Sequence, residues 1–418
     1  MSDGGLAADA GLVGIVAEYN PFHHGHRFHI ARSLELTGAA GVVAVMSGDF
    51  VQRGEPALID KWRRARIAVR HGVDLVLELP FLYATGSAEC FASGAVRLFD
   101  ALPCVTHLAF GCEEGILSPL AEAARVLVSE SPAFKETLRA ELKAGRSFPR
   151  ARAEALRREA GEAAARLLDH PNNILAVEYL KQCLRIGSRL VPVAVKRVGA
   201  GYFEADPRVR VAGAAAIRRL LLSREEEEAL FYMPEWERAS AVQSLDLYFT
   251  LIAAVARLRS GAELRAIVSA SEGLENRLLR ALDSAFDMPS LLAAIKTARY
   301  TRTRVCRFLL HTLFGITRER FAALDAVWPC YLRVLALSER GGDILRLIKA
   351  RTDIPIITNL RKQRSDEPAA KLLALDILAA DLYNLVGGAA SRADSDYRTR
   401  PFVHARGAAA APPFASEP

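Results

Sequence analysis

The sequence predicts an α/β fold with a parallel sheet in its first half and an α-helical C-terminal part. Up to about residue 222, apolar runs of strand length alternate with amphipathic segments of helix length. Strand-length runs such as Leu75-Val76-Leu77 are continuously apolar, which fits strands buried on both faces of a parallel sheet. From Ser223 onwards the strand signals stop, and amphipathic helical patterns continue to about Tyr383.

The elements of the first half follow in chain order. The predicted strands cover residues 13–19, 41–46, 74–79, 107–110 and 190–195. The predicted helices cover residues 26–36, 62–70, 88–99, 172–184 and 211–222, and 119–165 is read as helices without strands. Asp60 can cap the second helix. This alternation fits right-handed βαβ units, whose strands lie side by side in one sheet.

Four segments make up the predicted domain organisation of the 418 residues. We expect a loose N-terminus at 1–12, an α/β domain at 13–222, an α-helical domain at 223–386 and a disordered tail at 387–418. The length suggests two or three domains. The tail is rich in Ala, Gly, Pro and Arg and shows little periodicity, which favours disorder.

Composition limits the class of protein. The formal net charge is +7, which indicates either a polyanionic partner such as nucleic acid or arginine used on solvated helix faces. None of the six cysteines forms a Cys-x-x-Cys pair, so we expect reduced core cysteines of a cytoplasmic protein. No signal-peptide pattern and no apolar run of the ~20 residues that a bilayer requires is present, so no membrane association is expected. No protein partner is predicted.

The most informative stretch is the turn that follows the first strand. It carries His23, Gly25 and His26 as His-x-Gly-His, and four of the nine histidines lie between His23 and His29. Backbone N–H groups and the helix dipole at such a turn attract phosphates. Imidazoles there can donate hydrogen bonds to the charge that develops when the α-phosphate of ATP is attacked. The alternative is that His23 and His26 merely cap the helix. P-loop, Gly-x-Ser-x-Gly and His-Glu-x-x-His motifs are missing from the sequence.

This turn resembles the signature of the nucleotidylyltransferase superfamily of Rossmann-like enzymes. A wider set of segments is similar to one family, the bacterial tRNA(Met) cytidine acetate ligases, and the likeness runs from about Val13 to Tyr383. The segments are EYNPFHHGH at 18–26, MSGDFVQRG at 46–54, ELP at 78–80, FGCE at 110–113, PNNIL at 171–175, GLEN at 273–276, RYTRTR at 299–304 and PIITN at 355–359.

The resemblance implies a ligase that makes acetyl-adenylate from ATP and acetate and releases pyrophosphate. The acetyl group then goes to N4 of the wobble cytidine of elongator tRNA(Met). Mg²⁺ is expected with the phosphates, and no metal-ligating residues are predicted. His23 and His26 are the expected catalytic residues. The implied ATP site comprises Val16, Ala17, Glu18, Tyr19, Asn20, Pro21, Phe22, His23, His24, Gly25, His26, Arg27, Phe28, His29, Gly111, Asn172, Asn173, Arg197 and Arg218.

Some of these assignments have alternatives. Asn172 can instead be a helix N-cap, and Arg197 an ordinary surface arginine. The family tends to show Ser-Ala-Thr-Ala-Ile-Arg at a second phosphate-binding helix, whereas this chain has GAAAIR at 213–218. The two hydroxyls are missing, so the helix start can offer backbone N–H groups and Arg218. Gln52 and Arg53 are candidates for contact with acetate or tRNA.

The predicted tRNA-binding residues lie in the helical part. Tyr300, Arg304 and Arg307 fall on one helix face by their spacing, and a basic face with an aromatic residue suits RNA. A solvated arginine face is the alternative. Two other functions stay open: a nucleotidylyltransferase acting on a small cofactor precursor, and a non-catalytic RNA-binding protein that holds ATP.

Overall fold

The computed structural model describes residues 11–197, 212–238, 242–271, 273–297, 299–360, 367–387 and 394–405. Its strands are β1 (Leu12–Ala17), β2 (Val42–Ser47), β3 (Phe50–Val51), β4 (Glu55–Pro56), β5 (Leu75–Leu79), β6 (Val105–Cys112), β7 (Val191–Lys196), β8 (Leu332–Ser338), β9 (Ile356–Ile357) and β10 (Phe402–His404). Residues 1–10 of the expected loose N-terminus lie outside the described residues, and Leu12 already belongs to β1.

The helices account for most of the remaining described chain. They are α1 (His24–Thr37), α2 (Lys61–Arg70), α3 (Phe81–Ala84), α4 (Ala88–Asp100), α5 (Leu117–Val128), α6 (Pro132–Lys143), α7 (Phe148–Leu167), α8 (Pro171–Ile186), α9 (Ala214–Leu222), α10 (Glu226–Leu230), α11 (Phe249–Arg257), α12 (Gly261–Ala266), α13 (Leu274–Leu282), α14 (Met288–Ile295), α15 (Arg302–Phe314), α16 (Arg318–Asp325), α17 (Glu339–Lys349), α18 (Pro368–Val386) and α19 (Ser395–Arg398). Within the described residues, no helix combines the length and apolarity needed to cross a membrane.

The five predicted strands form the parallel part of one sheet. Their spatial order is β5-β2-β1-β6-β7, and all four neighbouring pairs are parallel. Ile15 of β1 lies between Ala44 of β2 and Ala109 of β6. The strand order reverses direction between β1 and β6, and ligands bind at such a point, outside the carboxyl ends of the strands. The prediction of an α/β fold with a parallel sheet is therefore confirmed.

Both faces of this sheet are buried, as the continuous apolar runs predicted. Side chains such as Val42 and Ala44 pack on one face with residues of α1 and α2. Their neighbours Val43 and Val45 point to the other face and join the larger apolar cluster, which also contains α4 and α8. Alternation along β2 thus divides the core between two layers of helices.

The expectation that strands end before Ser223 is wrong. β8 adds to the sheet antiparallel to β5, and both β9 and β10 pair with β8 in parallel. The sequence Leu-Arg-Val-Leu-Ala-Leu-Ser of β8 is rich in good helix formers, so its pattern did not indicate a strand. The free edge of β5 supplies the backbone partners, and burial of Arg333 and its apolar neighbours overrides local preference.

The expected disordered tail at 387–418 is also wrong for part of its length. Residues 395–404 carry α19 and β10, while 388–393 and 406–418 lie outside the described residues. Asp396 is 1% exposed and forms ion pairs with Lys61 at 2.8 Å and Arg333 at 2.9 Å. Lys61 also pairs with Glu78 at 2.8 Å. We call Lys61, Glu78, Arg333 and Asp396 the ionic cluster; it attaches the C-terminal segment to the sheet.

The helical part shares its core with the sheet. Apolar residues of α11, α13 and α15 belong to the same buried cluster as β5 and β6. Phe50, in the β3–β4 hairpin, contacts the rings of Tyr248, Phe314 and Tyr383 from the helical part. The domain boundary at 222/223 stays a prediction, and the two parts pack together along this aromatic contact.

Candidate functional site

A cavity of about 380 Å³ opens at the carboxyl ends of β1, β6 and β7, where the strand order reverses. We call it the open cavity. It brings together residues that lie almost 200 positions apart in the chain. Its lining comprises Ile15, Val16, Ala17, Glu18, Tyr19, His23, Gly25, His26, Phe28, His29, Phe91, Phe110, Gly111, Asn172, Leu175, Tyr179, Val195, Lys196, Arg197, Ala212 and Gly213.

Twelve of the nineteen expected ATP-site residues line the open cavity. Those that do not are Asn20, Pro21, Phe22, His24, Arg27, Asn173 and Arg218. Several of these residues instead support the turn beside the open cavity. Asn20 accepts the N–H of Leu58 at its side-chain oxygen over 2.9 Å, and its backbone oxygen accepts Arg218 over 2.8 Å. Phe22 is 1% exposed and packs against Tyr19 and His26.

The two signature histidines are held together at the start of α1. The backbone N–H of His23 donates to Nδ1 of His26 over 3.2 Å, and the two rings stack with centroids 3.7 Å apart. A neutral His26 that accepts at Nδ1 carries its proton on Nε2. Helix capping and cavity lining are thus combined in this pair, so the capping alternative and the functional one coexist.

The structure gives a steric explanation for the glycine at position 25 that the sequence did not indicate. A Cβ at this position would lie 2.9 Å from Cε1 of His23. The glycine therefore makes room for the imidazole ring of His23 against the first turn of α1. The expected role, close approach of the backbone to phosphate, remains a prediction.

The imidazoles of the open cavity are neutral in the ligand-free protein. Burial, with the nearby charge of Arg197, lowers the pKa of His23 to about 3 and that of His29 to about 4. Burial and the neighbouring histidines lower the pKa of His26 well below its usual value. Nδ1 of His23 and Nε2 of His29 are buried without a hydrogen-bond partner among the described residues. Buried polar atoms of this kind, where they line a cavity, can form hydrogen bonds with a polar ligand.

Positive charge and helix ends surround the same space. Lys196 is the last residue of β7 and Arg197 follows it, and Arg218 lies close enough to His23 to lower its pKa. The α1 N-terminus and Ala212–Gly213, which precede α9, both face the cavity. Two helix N-termini and several cations suit an anion with several charges, such as a polyphosphate.

The two asparagines of the α8 start have different roles. His170 is the N-cap of α8, so the alternative of Asn172 as N-cap is wrong. Asn172 lines the cavity, and its amide donates to Oε1 of Glu113 over 2.8 Å. Asn173 is buried, and its side-chain oxygen accepts the N–H of Glu113 over 3.1 Å. Glu113 also faces Arg197 at 3.7 Å, so it orients two cavity residues.

Sequence reasoning did not single out the apolar wall or the support behind the turn. Phe91, Phe110 and Tyr179 line the side of the cavity that faces α4 and α8. Arg64 is fully buried and donates to the backbone oxygens of Glu18 (2.6 Å), Ser47 (3.1 Å), Ile59 (3.0 Å) and Gly48. It thereby connects the end of β1 to the end of β2. A lone arginine in an amphipathic helix gives no sequence signal for this role.

The expected tRNA face is less open than its spacing suggested. Tyr300 is 4% exposed, and the Arg304 guanidinium lies 5.4 Å from its ring. The ring is therefore not accessible for stacking with an RNA base. Arg307 is largely buried and donates to the backbone oxygen of Gln52 over 3.3 Å. The N–H of Gln52 in turn donates to Oε1 of Glu18 over 2.9 Å, so Arg307 is connected to the open cavity.

A parallel five-strand core with a His-x-Gly-His turn and a cationic cavity at its switch point defines the class of nucleotidylyltransferase-like proteins. In agreement with this, the profile of the family described as HIGH Nucleotidyl Transferase matches residues 11–397. Among individual proteins, this chain is 40% identical to a tRNA(Met) cytidine acetate ligase of Caldanaerobacter subterraneus, over 89% of this chain and 94% of that protein.

Other relatives agree. A tRNA(Met) cytidine acetate ligase of Clostridium perfringens is 37% identical over 94% of this chain and 99% of its own length. A crystal structure of Thermotoga maritima TmcAL bound with alpha-thio ATP superposes with a TM-score of 0.86 and 32% identity, over 94% of this chain and all of that one. The chain therefore belongs to the tRNA(Met) cytidine acetate ligase family, as its motifs indicated.

Proposed function

We propose that this protein uses ATP to activate acetate as acetyl-adenylate and transfers the acetyl group to N4 of the wobble cytidine of elongator tRNA(Met). The observation that carries the ATP half is the open cavity, where neutral imidazoles and cations meet two helix N-termini. The acetate and tRNA halves rest on the family to which the chain belongs. Because the reaction requires tRNA, the proposed compartment is the cytoplasm.

In the first step, a carboxylate oxygen of acetate attacks the α-phosphorus of ATP, and the bond to pyrophosphate breaks. His26 offers Nε2–H, and His23 lies stacked beside it, so both can donate to oxygens that gain negative charge. Arg197 and Arg218 supply positive charge next to the same turn. Positioning and charge stabilisation suffice here, and no covalent enzyme intermediate is needed.

In the second step, the N4 amine of cytidine attacks the acetyl carbonyl carbon. The bond between that carbon and the phosphate oxygen breaks, AMP departs, and one amine proton is lost to the departing phosphate or to water. Arg304 remains the proposed tRNA contact of the predicted set. Arg307 has an indirect, positioning role, because its hydrogen bond to Gln52 holds the β3–β4 hairpin, which contacts Glu18.

Mg²⁺ is proposed to arrive with the nucleotide. Hard oxygen ligands suit it, and the cavity lining offers the carboxylate of Glu18, which accepts Gln52. Among the described residues, no cluster of three or more His, Cys, Asp or Glu side chains is arranged to hold a metal ion. The phosphates and water would therefore supply most of its ligands, and the ion would supply charge neutralisation.

One assay tests the proposal: the protein is incubated with ATP, labelled acetate and transcribed tRNA(Met). We expect acetylated cytidine in the tRNA and, without tRNA, acetate-dependent exchange of pyrophosphate into ATP. Exchange that ignores acetate would instead indicate a nucleotidylyltransferase of another substrate. ATP binding with neither exchange nor acetylation would indicate a non-catalytic RNA-binding protein.

A further inference from the structure

A second pocket of the helical part differs from the open cavity in both chemistry and place. It has a volume of about 350 Å³ and lies between α13 and the segment that follows α14. It shares no lining residue with the open cavity. Its polar lining is Asn276, Arg277, Arg280, Thr297, Arg299 and Tyr300. We call it the arginine pocket.

Neutral groups hold two of these arginines in place. Nε of Arg277 donates to the backbone oxygen of Ile295 over 3.2 Å, and its Nη2 donates to that of Ala294 over 3.3 Å. Nε of Arg280 donates to the backbone oxygen of Asn276 over 3.3 Å. Both guanidinium groups are thereby oriented, and neither forms an ion pair with a carboxylate among the described residues.

Two neighbouring arginines, in contrast, are paired with carboxylates. Arg265 pairs with Glu275, the carboxylate at the start of α13, over 3.1 Å, and Arg302 pairs with Glu55 over 3.0 Å. Arg277 and Arg280 form no ion pair with any described carboxylate, and no described acidic residue lines the pocket. Two oriented guanidinium groups without a described carboxylate partner, next to an amide and a hydroxyl, suit the binding of an oxyanion.

From this geometry we infer that the arginine pocket binds phosphate groups of the RNA backbone, an inference that rests on the proposed function. The pocket adjoins the proposed tRNA contact, because Tyr300 lines it and Arg304 lies over the ring of Tyr300. Arg304 and Arg307 both belong to α15, and Arg307 reaches the open cavity through Gln52. A long polyanion could contact the arginine pocket and Arg304 together, whereas a small anion would occupy only one of them.

The test measures the affinity of the full-length protein for transcribed tRNA(Met) at several salt concentrations. In the variant Arg277→Ala/Arg280→Ala, we expect at least about tenfold weaker binding at low salt. The slope of log affinity against log salt should fall by about 1 to 2, because each lost phosphate contact removes somewhat less than one unit. Arg280→Ala alone should show about half of this change in slope.

The matched control removes the same charge elsewhere. Arg158→Ala/Arg166→Ala deletes two exposed arginines of α7, which pair with Glu154 and Glu162. Affinity and slope equal in the two double variants would overturn the inference. Arg277→Gln/Arg280→Gln keeps side-chain donors for the carbonyls and should weaken binding as the alanine variant does, which separates lost charge from misfolding.

A second readout separates this inference from the proposed function. Acetate-dependent pyrophosphate exchange needs no tRNA, so the variant should exchange at the wild-type rate. Absence of exchange in the wild type would contradict the proposed activity, while the binding comparison would still decide the role of the arginine pocket.

Discussion

Two polar regions lie at the carboxyl ends of the same sheet, and they differ in how their polar groups are paired. The ionic cluster covers the ends of β2 and β5, and its four charged members are 0–3% exposed and pair with one another. The open cavity lies at the ends of β1, β6 and β7, and its imidazoles have polar atoms without a partner in the described part of the chain. Both regions are buried and rich in titratable groups.

The difference separates a structural site from a binding site. In the ionic cluster each charge faces an opposite charge of the chain, so its ion pairs lie within the protein, although Nη1 of Arg333 has no hydrogen-bond partner among the described residues. In the open cavity burial, with the nearby charges of Arg197 and of the neighbouring imidazoles, lowers the pKa values of His23 and His26. The arrangement in the open cavity favours a polyanionic ligand. Burial alone would not distinguish the open cavity from the ionic cluster, because both are buried.

The largest expected effect concerns the ionic cluster. Asp396→Ala leaves Lys61 and Arg333 buried with one carboxylate fewer, so the free energy of unfolding should fall by about 3–5 kcal/mol. Urea denaturation measures it. Asp394→Asn is the control, because Asp394 is partly exposed and an asparagine tolerates its positive φ of 74°. A loss below about 1 kcal/mol would mean that the cluster does not attach the C-terminal segment.

The opposite result is expected in the open cavity. His23→Ala/His26→Ala should reduce acetate-dependent pyrophosphate exchange by at least about 10²–10³-fold, because donors to the developing charge are lost. The free energy of unfolding should change far less than in Asp396→Ala. His170→Ala, at the exposed N-cap of α8, should keep full exchange. A double variant that exchanges normally would remove these histidines from the reaction.

Acidification should have opposite effects on stability through His29 of the open cavity and through Asp49, which lies 3.9 Å from Lys61 of the ionic cluster. His29 has a folded pKa of about 4, below its usual 6.5, so the unfolded chain takes up a proton first and stability is lost as pH falls from 6.5 to 4. Asp49, beside Lys61, has its pKa raised by burial to about 7 from 3.8, so its folded carboxyl keeps a proton that the unfolded one loses. Stability from Asp49 therefore increases as pH falls from 7 towards 3.8.

Variants make these slopes measurable. We compare the change in unfolding free energy when the pH is lowered from 7 to 5. For His29→Asn this change should be more favourable than in the wild type by about 1–2 kcal/mol, and for Asp49→Asn it should be less favourable by a similar amount. Urea titrations at both pH values give the differences. If the unfolding free energy changed equally with pH in the wild type and in both variants, this would contradict a neutral His29 imidazole and a protonated Asp49 carboxyl.

The sequence could predict what depends on neighbours along the chain. The strand, the turn with His23 and His26, and the start of α1 form one continuous segment, so its motif and periodicity predicted both the fold and the position of the site. The five parallel strands were predictable for the same reason. Asn172, Gly111 and Arg197 followed from the family likeness, and the structure brings all three to the open cavity.

What escaped prediction depends on distant partners. Asp396 and Lys61 are 335 positions apart, and nothing in the composition of the C-terminal segment indicates that pair. The helix-forming residues of β8 become a strand because the edge of β5 is available. Arg307 has the spacing of a solvated face, yet the β3–β4 hairpin covers it, since a Cβ at Gly54 would lie 2.4 Å from its backbone nitrogen.

The smallest expected effect returns to the open cavity, at the helix start that lacks the hydroxyls of the family pattern. Gly213 is the exposed N-cap of α9 and lines the cavity, and a Cβ there meets no atom of a described residue within 4 Å. Gly213→Ser/Ala215→Thr should lower the KM for ATP in pyrophosphate exchange about two- to fivefold, because each hydroxyl adds a donor near the phosphates. Stability should rise by a few tenths of a kcal/mol at most, since Gly and Ser are both good N-caps. Gly261→Ser, a remote position with equal room, should leave KM unchanged. An unchanged KM in the double variant would indicate that the backbone N–H groups of α9 already provide the hydrogen bonds that the phosphates accept at this end of the open cavity.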